Sequence, residues 1–244
     1  MTGVLDMLAR HEDSVRHRSS LTKGKAAAPT HSDVLEASRR VPNLLPISTA
    51  VATVWDKTHL DDLANELNQF GVEFIATEGT ATHLRSVVDG LKVTDLSAYT
   101  GYPENLNGRL KTLHPKIQAG ALAIKGYHDE TLKKPEVAAK YIDLVIVNLY
   151  PFEQTVGKGA TYFECIESID IGGPALLRAA AKNHVCVTAI CDPKDYEKLI
   201  DELRRNKGCT TFDFRRRCAE KVFQTTTEYD RAIASWFKLN KEFE

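Results

Sequence analysis

Four short segments concentrate the side chains that handle charge. The run Asn107-Gly-Arg-Leu-Lys-Thr-Leu-His-Pro115 places two cations, a hydroxyl and an imidazole within nine residues, between a polar loop and the apolar stretch Gly120 to Ile124. Arg109 and Lys111 stand two apart, so an extended loop sends both to the same side. Two like charges aimed together are unfavourable without an anion between them, which marks this loop as an anion-handling site. Asn148-Leu-Tyr-Pro-Phe152 adds the phenol of Tyr150. Ser168-Ile-Asp-Ile-Gly-Gly-Pro174 adds the carboxylate of Asp170, and Arg178-Ala-Ala-Ala-Lys-Asn-His184 adds the ammonium of Lys182. Each has a simpler reading too. Tyr150 can be a core ring with a satisfied hydroxyl, Asp170 can cap the helix that Pro174 begins, Lys182 can offset the negative end of that helix, and His114 can be a turn residue.

The elements that must position these groups follow from the alternation of short apolar runs with helical patterns after Ile47. That alternation predicts an α/β fold, a doubly wound and mainly parallel sheet covered on both faces, closed by C-terminal helices. Strands are expected at 50–54, 73–76, 92–94, 119–124, 144–148 and 185–190. Leu60, Leu63, Leu67 and Phe70 keep helical spacing, as do Leu199 and Leu203, and Phe212 to Leu239 reads as one or two long amphipathic helices. In such a sheet ligands sit beyond the carboxyl ends of the strands, where loops lead into helix N-termini with free N–H groups. Val54-Trp-Asp-Lys-Thr-His59 and Ala76-Thr-Glu-Gly-Thr-Ala81 fall at such ends, with Gly79 and Thr80 able to offer backbone and hydroxyl donors to a phosphate. A Gly-Thr turn before a helix is also an ordinary N-cap.

Bulk properties bound the function. The 244 residues, 43% of them hydrophobic, can bury a substantial core. Thirty-two basic and 33 acidic residues leave a formal charge of -1, so no global field attracts nucleic acid or an anionic membrane, and anion binding must be local. No apolar stretch approaches the roughly 20 residues that span a bilayer. Five cysteines without a C-x-x-C pair read as free thiols, which predicts an intracellular, reducing and cytoplasmic setting. Residues 1–45, poor in large apolar groups, read as an extended N-terminal tail, uncleaved because Asp6, Glu12 and Asp13 fall where transit peptides avoid acid. Residues 46–244 form the expected domain.

Together the four segments, with Phe223-Gln-Thr-Thr-Thr-Glu-Tyr-Asp-Arg-Ala-Ile233 near the end, resemble the inosine monophosphate (IMP) cyclohydrolase family. Members usually form the N-terminal half of a bifunctional purine enzyme, the AICAR transformylase/IMP cyclohydrolase, and share the methylglyoxal-synthase-like fold. The resemblance implies dehydrating ring closure of formyl-AICAR ribonucleotide to IMP with no cofactor and no metal. It assigns Lys111 and Lys182 to the oxyanion at the formyl carbon, Asp170 to the attacking amide and Tyr150 to positioning. Arg109, Thr112, Asn148 and Gly172 complete the substrate pocket, and Lys57, Gly79 and Thr80 hold the phosphate. It also implies a homodimer. The family's first loops read approximately Ser-Val-Ser-Asp-Lys-Thr-Gly and Ser-Gly-Gly-Thr-Ala-Lys. Here Trp55, His59, Glu78 and Thr82 replace a serine, two glycines and a lysine. Those changes in the phosphate cradle motivate an alternative, an impaired cyclohydrolase homologue that serves as a structural subunit docked through residues 1–45.

Overall fold

The structure, a computed structural model, describes residues 30–240. The chain divides into units at 1–33 and 34–244, and the fold belongs to the second. The expected tail at 1–29 lies outside the described residues.

Five strands form one parallel sheet: β2 (Thr49–Val54), β3 (Glu73–Ala76), β4 (Val93–Asp95), β5 (Leu144–Asn148) and β6 (Thr188–Ile190), in the order β4-β3-β2-β5-β6. A two-residue strand β1 (Leu45–Pro46) pairs antiparallel with β7 (Cys209–Thr210). The parallel, doubly wound expectation holds, and the fold class with it.

The two-residue period of the strands sorts their side chains into two cores. On one face Ala50, Ala52, Val54, Leu144 and Ile146 meet Leu60, Leu63 and Leu67 of α2 (Leu60–Gln69) and Leu199 and Leu203 of α10 (Tyr196–Arg205). On the other, Val51, Val145 and Val147 meet Ile117 and Ala121 of α5 (Pro115–Leu122), Leu176, Leu177 and Ala180 of α9 (Gly172–Lys182), and Ala219 and Val222 of α11 (Phe212–Leu239). Each fully buried leucine contributes about 2 kcal/mol of transfer free energy. The remaining helices are α1 (His31–Arg39), α3 (Glu78–Val87), α4 (Leu96–Thr100), α6 (Asp129–Lys133), α7 (Phe152–Gly157) and α8 (Tyr162–Glu167). A satellite cluster of Phe152, Cys165, Trp236, Tyr162 and Tyr229 ties α7 and α8 to the far end of α11.

Two expectations are corrected. The segment expected as a strand at 119–124 is helical through Leu122. Pro115 occupies the first turn of α5, and His114 caps it, its Nδ1 accepting the Lys116 N–H at 3.1 Å. Gly120 belongs to this helix because α5 lies against the entry to β5, where a Cβ would stand 2.5 Å from the Lys140 carbonyl. Residues 34–45, expected as the end of the tail, pack with the domain: Val34, Ala37 and Val41 lie against the second core. The buried Arg215 guanidinium secures the same stretch. It donates to the carbonyls of Asn43 (3.1 Å), Pro42 (3.5 Å), His184 (2.9 Å), Val185 (3.2 Å) and Thr210 (2.5 Å).

All five cysteines are free thiols, as expected. No helix among the described residues is long and apolar enough to cross a membrane.

Candidate active site

The strand order reverses at β2, which has β3 on one side and β5 on the other. The crevice of a doubly wound sheet opens at that point, beyond the carboxyl ends. Asn148, the last residue of β5, closes its floor. Its Oδ1 accepts the Trp55 N–H at 2.6 Å and the Asp56 N–H at 2.9 Å, and its Nδ2 donates to the Asp56 carbonyl at 2.6 Å. The carboxamide thus fixes the loop after β2 at this crevice.

Three of the motif segments converge above this floor. Asp170, in the loop before α9, turns its carboxylate back onto the helix start, Oδ1 accepting the Gly173 N–H at 2.8 Å. A Cβ at Gly173 would stand 2.4 Å from Asp170 Oδ2 and 3.0 Å from Leu149 Cδ2. One at Gly172 would stand 2.4 Å from Thr112 Oγ1. The Gly-Gly pair therefore lets the 109–114 loop, the end of β5 and the Asp170 loop come together without side chains between them. The Tyr229 hydroxyl of α11 accepts the Asp170 N–H at 2.8 Å.

Burial sets the electrostatics. Loss of water pushes the Asp170 carboxyl above its ordinary range, against the backbone N–H groups of Gly173 and Tyr150 and the charge of Lys111, which all favour the carboxylate. Burial also pushes the Tyr229 phenol up to about 12, so it stays protonated beside that acid. A carboxyl poised toward neutrality, with an ammonium in electrostatic reach, can accept a proton on one side while positive charge waits on the other.

The other expected residues are placed less evenly. Arg109 and Lys111 take different carboxylate partners, and the chain is not extended through Arg109, whose backbone is right-handed helical at φ −69° and ψ −23°. Arg109 pairs with Glu167 on the surface, its Nε 3.2 Å from Oε2, while Lys111 Nζ lies 3.1 Å from Glu104 Oε2. Thr112 is buried, and the Tyr150 ring is 45% exposed at the rim. Lys182 is exposed at the opposite end of α9, about 15 Å along the axis from Gly172, so one chain does not bring it to Asp170.

In the expected phosphate cradle, Thr80 is buried. Its hydroxyl accepts the Val54 N–H at 3.1 Å and shares a 3.3 Å contact with Thr77, which stitches α3 to β2. Gly79 faces open space and Lys57 is half-buried. Trp55 is 48% exposed, and Glu78 is exposed in the first turn of α3. An exposed Glu78 sits at the aqueous limit, where repulsion of a phosphate charge about 4 Å away is about 1 kcal/mol. Among the described residues no group of three or more His, Cys, Asp or Glu is placed to hold a metal ion. The sequence reading missed Glu104 and Tyr229. Glu104 carries no local signal, and Tyr229 stands in the closing segment, where its hydrogen bond to a backbone amide leaves no trace in residue spacing.

Comparison with known proteins agrees with this fold. Residues 59–175 match the MGS-like domain, and residues 180–244 match the AICARFT/IMPCHase bienzyme. The chain is also similar to the solved structure described as the crystal structure of ForH, with a TM-score of 0.65 and 33% identity, over 78% of this chain and 97% of that one. The chain belongs to the AICARFT/IMPCHase family. Within it, the bifunctional purine biosynthesis protein PurH of Cereibacter sphaeroides is 47% identical over 194 residues, 80% of this chain and 36% of that protein. PurH of Bradyrhizobium diazoefficiens is 48% identical over 200 residues, 81% of this chain and 37% of that protein. The chain spans just over a third of the length of these curated relatives. The family read from the loop motifs is the family found, and the matched part is consistent with the IMP cyclohydrolase portion of an AICARFT/IMPCHase protein.

Proposed function

We propose that this domain is an IMP cyclohydrolase, closing formyl-AICAR ribonucleotide to IMP with loss of water. The observation that carries the reading is the convergence of Asp170 and Lys111 at the β2/β5 crevice, through the contact of Thr112 with Gly172. The carboxamide nitrogen attacks the formyl carbon, and the Asp170 carboxylate accepts its proton. Lys111 stabilises the oxyanion and protonates it to the hydroxyl. Asp170 then returns its proton to that hydroxyl as the C–O bond breaks, and the formamide N–H gives its proton back to Lys111, so water leaves and both groups are restored. Nucleophile and electrophile already belong to one molecule, so orientation and charge placement suffice. Tyr150 at the rim and the buried Thr112 line the pocket. Lys57 and the open backbone at Gly79 are left to meet the phosphate, since the Thr80 hydroxyl is bound to Val54. Arg109 joins only if substrate draws it from Glu167.

Geometry within one chain supports no role for Lys182 at the formyl carbon. The homodimer and a cytoplasmic setting belong to the same proposal. Similarity to purine biosynthesis proteins does not favour the structural-subunit alternative.

Purified protein mixed with formyl-AICAR ribonucleotide should form IMP, and Lys111→Ala should abolish turnover with little loss of stability. Absence of turnover together with no binding of IMP at millimolar concentration ends the reading.

A further inference from the structure

Lys111 meets a carboxylate that the proposed reaction does not use. Its ion pair with Glu104, 3.1 Å long, joins two side chains that are 31% and 27% exposed. The backbone sets up the pairing. Asn105 and Leu110 exchange N–H to carbonyl bonds of 3.3 Å each, an isolated antiparallel bridge, which makes Glu104 and Lys111 the next pair across from each other. The turn between them passes through left-handed backbone at Leu106 (φ 54°) and Gly108 (φ 87°). At Gly108 a Cβ would stand 3.0 Å from Lys111 Cε and 3.4 Å from Nζ. The lysine side chain thus lies along the turn with Glu104 at its tip.

The same ammonium acts electrostatically on Asp170, yet among the described residues its ion pair is with Glu104. Charged and titratable groups around Asp170 are Lys111 from the loop and Tyr229 from α11 with Asp230 beside it, while the segment after β5 contributes the backbone N–H of Tyr150. Arg109 does not compete for Glu104, being paired with Glu167.

We propose that Glu104 is a positioning residue: it holds the Lys111 ammonium short of Asp170, so that the lysine is aimed at the developing oxyanion and the Asp170 carboxylate keeps its proton-accepting lone pair. Without the Glu104 charge, Asp170, on which the Lys111 ammonium already acts, is left as a carboxylate partner for it. Pairing there makes the acid a weaker base and ties up the lysine together with it. The inference rests on the proposed cyclisation for its kinetic consequence, but the geometry it invokes is testable without substrate.

The full chain and its Glu104→Gln variant are compared in two ways. Cyclisation kinetics across the acid and neutral range should show kcat falling about a hundredfold, as for a misplaced catalytic group, with KM little changed. The acid limb of the kcat/KM profile should move to lower pH, and Glu104→Asp should restore part of the rate. A carboxyl-carbon NMR titration of both proteins, free of substrate, should show Asp170 titrating at lower pH in Glu104→Gln. An unmoved Asp170 titration overturns the proposal, as does a fall in kcat with the acid limb in place, which a merely structural glutamate would give. If Glu104→Gln does not fold, Glu104→Ala carries the same test, and an Asp170 titration unmoved in that variant overturns the proposal. Lack of turnover by the wild-type chain removes the cyclohydrolase reading alone, since the NMR arm still decides for Glu104.

Discussion

The Thr112 hydroxyl occupies the space that a side chain at Gly172 would need, with only 2.4 Å between Oγ1 and the position of a Cβ. Gly172→Ala must push the 109–114 loop away from α9. The expected cost is about 1–3 kcal/mol, typical of overpacking, read as a lower urea midpoint. A larger relative loss of kcat should accompany it, because the displaced loop carries Lys111. Unchanged kcat would separate this contact from the active arrangement.

Tyr229→Phe leaves the Asp170 N–H, now bonded at 2.8 Å, without its partner. Loss of that bond should cost about 1–3 kcal/mol, a fall in Tm of several degrees for a chain of this size. The Asp170 loop should loosen with it, so hydrogen exchange at residues 168–173 should speed up relative to the β2 and β5 amides.

Asp170→Asn keeps the helix cap on Gly173 and removes the base, so kcat should fall about 10²- to 10⁴-fold. Its stability should depend on pH in a defined direction. Burial raises the Asp170 carboxyl in the folded chain, so ionisation opposes folding. The contribution of the neutral acid is fully present below the unfolded-state value of about 4 and is lost as pH rises through the raised folded value. Wild type should therefore lose ground to Asp170→Asn as pH climbs through that window, which paired denaturation curves measure directly. A difference independent of pH would mean that the carboxyl is not raised.

His59 begins α2 in the left-handed region, at φ 59° and ψ 10°, with no side-chain cap. Its 3.7 Å approach to Asp62 joins two well-exposed groups and contributes little. Left-handed backbone costs a residue bearing a Cβ about 1–2 kcal/mol. Glycine gives back part of that relief as unfolded-chain entropy. His59→Gly should raise stability by about 0.5–1 kcal/mol, visible as a higher denaturation midpoint.

Legibility followed the kind of information each feature leaves in a sequence. Strand β5 is legible at its full extent because Leu144 to Val147 is an uninterrupted apolar run, and the parallel arrangement of the sheet follows from its alternation with helices. The run from Ala119 to Ile124 is equally apolar and misled for that reason. Its helical nature was announced upstream, by His114 and Pro115 as cap and first turn. That the loops holding Thr112, Asp170 and Gly172 meet is legible through their neighbours in the motif segments. The direction of Arg109 is not, because it depends on Glu167, 58 positions away. Residues 34–45 looked like tail because side chains carry the sequence signal. Their anchorage rests partly on the carbonyls of Pro42 and Asn43, which every residue possesses.

That anchorage gives Arg215 a consequence for anyone trimming the chain. A cut ahead of Val34 spares every acceptor that the guanidinium uses, whereas one extending past Asn43 strips two of them from a cation sealed away from water. The shorter product should then lose its grip on the turn before β6 and on β7 as well, so a deletion meant to probe the leading segment would instead report on the closing helix.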